Sequence, residues 1–93
     1  MELVIQHDKL TKKFFADING QIAELDYALE EDSVLNYYRT FVPPELRGSQ
    51  IGEKIVKFAL DYARENNYKI IPSCPFVERI IARHPEYKIL LRE

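Results

Sequence analysis

Two hydrophobic periods divide this chain, and the change falls at Pro44. Before it, apolar residues alternate with period two, the signature of strands with one buried face. Leu3 to Ile5 reads as a short first strand and His7-Asp8-Lys9-Leu10 as the tight connection that follows it. Lys12 to Ile18 and Gln21 to Leu29 flank Asn19-Gly20, a pair that accepts positive φ at both central positions of a type I′ turn. A hairpin closed there sets Ile18 opposite Gln21, Ala16 opposite Ala23 and Phe14 opposite Leu25 on one mostly apolar face. Lys13 and Asp26 then meet as a charge pair on the other. Glu30 to Ser33 turns the chain again. Val34 to Val42, rich in β-branched and aromatic residues, makes a third long strand and completes an antiparallel meander.

Beyond Pro44 the period becomes helical. Ile51, Ile55, Ala59, Tyr62 and Ala63 recur on one side of Gln50 to Asn66, while Glu53, Lys54, Lys57, Asp61, Arg64 and Glu65 face away. Asn66-Asn67 ends that helix, and Tyr68 to Pro72 is a short strand. A helix between two strands implies a crossover that lays them parallel, a single β-α-β unit. Pro75 opens a second helix with Phe76, Val77, Ile80, Ile81 and His84 along one side, and Pro85 closes it. Tyr87 to Leu91 reads as a terminal strand or helical turn, short enough to leave a sheet edge open to a second copy. The expected fold is α/β: a mixed, mostly antiparallel sheet with one β-α-β crossover and a second, C-terminal helix. Its 93 residues fit one domain, 1–93.

Composition narrows the function classes. Thirteen basic and fifteen acidic residues leave a net charge of −2, too little field to recruit nucleic acid or an anionic membrane. One cysteine, Cys74, has no internal disulfide partner, and the sequence shows no leader and no apolar span of about 20 residues. The expected setting is reducing and cytoplasmic, for a monomer or weak homodimer.

The chemistry concentrates in two places. Residues 41 to 52, F-V-P-P-E-L-R-G-S-Q-I-G, put a strand end, a stiff proline elbow and a glycine turn directly before a helix. Unpaired N–H groups and the positive end of the helix dipole favour an anion there, and glycines at 48 and 52 would let a diphosphate approach the backbone. Many such turns bind nothing, so an empty turn is the competing reading. Cys74, before Pro75, is the expected N-cap of the second helix, a placement that favours thiolate. Burial among Ile71, Phe76 and Val77 would instead make it a small core residue. Both spots lie at the carboxyl ends of two parallel strands, the edge where α/β sheets bind ligands. Arg39 is either a cleft-lining residue or a solvated one, and Tyr87 either a packing residue or a ligand contact.

Other motifs fail on spacing. Gly48 and Gly52 stand too close for a Walker A loop, and Lys54 does not follow Gly52 directly. His7, Cys74 and His84 lack paired zinc-ligand spacing. His84 cannot touch Cys74 along one straight helix, since ten residues span about 15 Å.

The segments R-T-F-V-P-P-E-L-R-G-S-Q-I-G at 39–52, A-L-D-Y-A-R-E-N-N at 59–67, I-I-P-S-C-P-F-V at 70–77 and R-H-P-E-Y at 83–87 are similar to the small, single-domain members of the GCN5-related N-acetyltransferase superfamily. The resemblance spans about Phe14 to Leu91. It implies acetyl-coenzyme A as the acetyl donor and an amine as acceptor. Its phosphate loop, Arg/Gln-x-x-Gly-x-Gly/Ala, falls on Arg47, Gly48, Ser49, Gln50, Ile51 and Gly52; a glycine is usual where Gln50 stands. It further implies that the backbones of Phe41 and Val42 bind the pantetheine arm, that Phe76 belongs to the coenzyme site, and that the thioester lies near Cys74. Small members often carry a histidine at the position of Arg39, which removes an obvious base here. Larger relatives build their acceptor site from two helices where this chain has only His7 to Leu10. An acyl-coenzyme A-binding or regulatory module without catalysis is therefore the alternative function.

Overall fold

In the computed structural model, which describes residues 3–92, the Asn19-Gly20 turn has φ of +55° and +86°. Gly20 N–H donates to the Asp17 carboxylate at 2.8 Å. The turn joins β2 (Lys13–Ile18) to β3 (Gln21–Glu31) in the expected register: Ile18 meets Gln21, Ala16 meets Ala23, Phe14 meets Leu25 and Lys13 meets Asp26. The charge pairing differs in detail. Lys13 reaches across to Glu24 at 3.7 Å, because Arg39 holds Asp26 at 2.8 Å.

The first strand is not where the apolar run puts it. β1 is Gln6–Asp8, paired antiparallel with β2, and Leu3 to Ile5 precedes it without strand structure. Side-chain chemistry explains the shift. His7 stacks on Phe14 at 4.1 Å, meets the edge of Tyr62 at 4.6 Å and bonds the Tyr27 hydroxyl at 2.6 Å. Asp8 accepts the Leu10 and Thr11 N–H groups and closes the turn itself.

β4 (Val34–Phe41) continues the meander, and β5 (Lys69–Ile71) lies parallel to β4 at the end of a five-stranded sheet ordered β1-β2-β3-β4-β5. Between them runs α1 (Ile51–Glu65), which buries Ile55, Val56, Ala59, Leu60 and Ala63, and after β5 comes α2 (Pro75–Arg83), which buries Val77, Ile80 and Ile81. Tyr37 on β4 is fully buried and donates its hydroxyl to the Ala59 carbonyl at 2.7 Å, tying sheet to helix. The last segment, a 3-10 turn at Pro85–Leu90, buries Tyr87, whose hydroxyl donates to Asp61 at 2.8 Å. That bond and burial commit Tyr87 to packing. Leu91 then bridges Ile70, and Arg92 N–H donates to the Ile70 carbonyl, so the C-terminal segment covers the outer edge of β5. The edge expected to be open is closed. None of the described helices is long and apolar enough to cross a membrane.

Two local irregularities position the site. Asp26 pairs with Arg39 but Tyr27 with Tyr37, which leaves Tyr38 as the extra residue of a β-bulge. Without the bulge, Tyr37 and Arg39 would share a face. With it, Arg39 lies on the uncovered face of the sheet against Glu24 and Asp26, while Thr40 turns to the helix side opposite Leu25. The second irregularity is the entry to α1. A 3-10 turn at Pro44–Leu46 leads to Gly48 at φ +87° and Gln50 at φ +66°, both left-handed. A side chain in that region costs about 1–2 kcal/mol.

Two outcomes follow. Gly48→Ala lowers unfolding free energy by about 1 kcal/mol, a drop of about 4–8 °C in melting temperature, whereas Gln50→Gly, which relieves the same strain, does not lower it. His7 titrates below its ordinary 6.5 because burial, then the Lys9 charge, disfavours the protonated ring. The unfolded chain therefore gains a proton before the folded one does, so this contribution is absent above 6.5 and turns destabilising as pH falls through 6.5. Melting between pH 7.5 and 5.5 should show a smaller loss in His7→Gln than in the native chain.

Candidate functional site

β4 and β5 are paired only at Val34–Lys69, Leu35–Ile70 and Asn36–Ile71. One more tie follows, from the Cys74 N–H to the Tyr37 carbonyl at 3.0 Å. There the two chains part. β5 ends and Pro75 starts α2, while β4 runs on to Phe41 with a strand neighbour on its β3 side alone. The opening holds a hollow of about 310 Å³ lined by Thr40, Phe41, Val42, Arg47 and Phe76. It shares Val42, Arg47 and Phe76 with a second hollow of about 320 Å³, whose other walls include Gly48, Gln50, Ile51, Gly52 and Glu53. Together they make one cleft from the parted strands to the tip of α1.

At that tip the backbone has donors to spare. The first helical bond is from Lys54 N–H to the Gln50 carbonyl. Among the described residues, no protein group accepts from the N–H of Gly48, Ser49, Gln50, Ile51, Gly52 or Glu53, and Gln50 supplies no side-chain cap. Protein side chains brace the loop instead: Ser49 Oγ donates to the Leu46 carbonyl, and Arg47 Nε to the Val42 carbonyl at 2.9 Å. The result is a row of free amides at the positive end of a fifteen-residue helix, an arrangement suited to a phosphate or diphosphate.

The two glycines serve different ends from a common approach to a diphosphate. Gly48 is needed for its left-handed φ, with open space around it. Gly52 has ordinary helical backbone, but a Cβ there would stand 3.1 Å from Val42 Cγ2 and 3.3 Å from Phe76 Cε2. Its role is to let α1 close against β4 and α2. Glu53, the one carboxylate on the cleft wall, is drawn aside by Arg83 Nη1 and His84 Nε2, each at 3.4 Å.

Cys74 is the N-cap of α2, yet its side chain makes no cap hydrogen bond. The residue is 6% exposed, and its sulfur instead lies 3.4 Å from Thr40 Oγ1. Both readings of this residue thus hold in part: it stands at a helix start, and it packs in the core. His84 caps the far end of α2 and pairs with Glu53. Thr40 is the residue that the alternation pattern missed, because the bulge at Tyr38 rephases β4 just before it. A further hollow of about 330 Å³, walled by Leu3, Val4, Ile18 and Ile51 with Asp17, Asn19, Ser49 and Lys54, lies beyond the loop. Thr40 and Phe76 are absent from its walls, so the parted strands belong to the other cleft.

The sequence profile described as GCN5-related N-acetyl-transferase matches residues 13–90. A solution NMR structure of a GCN5-like putative N-acetyltransferase from Staphylococcus aureus superposes with a TM-score of 0.76 at 31% identity, over 97% of this chain and 88% of that one. Protein NATD1 of Danio rerio is 28% identical over 89 residues, 91% of this chain and 81% of its own. The Homo sapiens protein of that name is 26% identical over 83 residues, 87% of this chain and 74% of its own. With the profile running from β2 to the end of the last turn, the chain belongs to the GCN5-related N-acetyltransferase family.

Proposed function

We propose that the cleft binds acetyl-coenzyme A and that the protein transfers the acetyl group to an amine. The observation that carries this reading is the run of unpartnered amides from Gly48 to Glu53, all but Ser49 on residues that wall a cleft running to the parted strands. The loop from Arg47 to Gly52 takes the diphosphate. The apolar walls, Val42 and Phe76, take the pantetheine arm. Because the Val42 carbonyl already accepts from Arg47, that strand end offers the arm chiefly the N–H groups of Phe41 and Val42. Left-handed backbone at Gln50, φ +66°, is a conformation glycine adopts freely, which fits the glycine usual there.

Acetyl transfer needs a neutral amine, a polarised thioester carbonyl and a proton for the departing thiolate. The N–H that faces the opening at the Phe41–Val42 strand end polarises the carbonyl, and Cys74 serves as the acid in direct transfer. A two-step route through acetyl-Cys74 uses the same sulfur as nucleophile; direct transfer asks less of a thiol so nearly enclosed. One observation favours the alternative of a non-catalytic acyl-coenzyme A-binding module. Arg39, at the position where small members often carry histidine, is locked to Glu24 and Asp26 on the uncovered face and supplies no base.

Calorimetric titration with coenzyme A should give measurable binding, and Gly52→Val, which drives Val42 and Phe76 apart, should weaken it at least about tenfold, or 1.4 kcal/mol. No heat or thermal shift at millimolar ligand would remove both coenzyme readings. Cys74→Ala should keep coenzyme A affinity while lowering thiol release from acetyl-coenzyme A at least about tenfold. Absence of amine-dependent thiol release from a panel of polyamines, peptides and aminoglycosides would select the binding module.

A further inference from the structure

Thr40 belongs at once to the cleft wall and to the surroundings of Cys74. The sulfur itself is not among the residues that line either hollow of the cleft, so its polar connection to that space is the Thr40 hydroxyl at 3.4 Å. Among the described residues neither Sγ nor Oγ1 has another hydrogen-bond partner. A hydroxyl can accept one hydrogen bond while donating another. The bulge at Tyr38 is what aims it, since an unbroken strand would have sent Thr40 to the opposite face.

The geometry points to Thr40 as the relay that couples Cys74 to the reacting thioester, an inference that rests on the acetyl-coenzyme A reading above. When the amine nitrogen bonds to the acetyl carbon and the carbon–sulfur bond breaks, the electron pair stays on the coenzyme sulfur. The Thr40 O–H proton passes to that sulfur as the Cys74 S–H proton passes to the Thr40 oxygen, both in one step, so no alkoxide forms. Cys74 is left as thiolate, held by the hydrogen bond from the restored hydroxyl. It recovers a proton through water from the nitrogen, which loses one on becoming an amide. Atoms and charge balance: amine and thioester become amide and free thiol. In the two-step route the same hydroxyl would orient the attacking sulfur, so Thr40 is needed in both.

Thr40→Val preserves shape and removes the hydroxyl, whereas Thr40→Ser preserves the hydroxyl and removes a methyl group. With acetyl-coenzyme A and spermidine as probe amine, the valine variant should lose at least about tenfold in kcat, with KM for acetyl-coenzyme A and the melting temperature little changed. The serine variant should retain most of the native kcat. A second readout needs no turnover: iodoacetamide alkylation of Cys74 in the free protein at pH 8 should slow at least about threefold in the valine variant and recover in the serine variant, because the thiolate loses and regains its donor. Equal alkylation rates in all three proteins, or equal losses in both variants, would overturn the relay. Failure of coenzyme A to bind the native protein would instead remove the coenzyme reading, and alkylation would still decide whether the hydroxyl governs the sulfur.

Discussion

Everything at the site depends on where two parallel strands stop pairing. Three residue pairs hold β4 to β5, and the Cys74 N–H to Tyr37 carbonyl bond is the last tie before they diverge. That single bond sets Cys74 at the apex of the opening and starts α2 there. It also leaves one edge of β4 from Tyr38 onward without a strand neighbour. Unpaired strand backbone away from water is costly, so such an edge persists where a ligand, solvent or a neighbouring side chain meets it.

The opening is held by packing rather than by polar contacts. Phe76 from α2 and Val42 from the end of β4 close on Gly52 from two sides, and Ile55 and Val56 one turn later anchor α1 to the sheet. The helix tip is thereby fixed relative to the strands, with its first amides left without protein acceptors. Such pre-ordering matters for a diphosphate site, because donors already in place need no reorganisation when charge arrives. Glu53 would oppose an anion; its pairing with the Arg83 guanidinium at the end of α2 offsets that charge.

Much of this was legible in the order of residues, because local rules govern it. Asn19-Gly20 dictates a type I′ turn, and the turn dictates the whole register from Lys13–Asp26 to Ile18–Gln21. The change of period at Pro44, the proline at the start of α2 and the amphipathic face of α1 likewise required no tertiary information. Nor did the turn before α1, since free amides at a helix start are a property of any helix. The apolar run misplaces the first strand because His7, a turn former by composition, is held extended by Phe14, Tyr27 and Tyr62, the last two distant in sequence.

By itself the sequence determined the elements from the hairpin to α2, their order, the hairpin register and the position of the loop, all of which follow from turn chemistry and periodicity. Only the tertiary structure decided what those elements bring together. A one-residue bulge at Tyr38 reverses which of Arg39 and Thr40 faces the helices, and nothing in the alternation of β4 announces it. The reason is that strand phase is set by pairing with β3 and by burial of Tyr37 under α1, not by β4 alone. The same holds for Gly52, whose lack of a side chain answers to Val42 and Phe76 across the fold, and for Cys74, whose sulfur meets a hydroxyl 34 residues away.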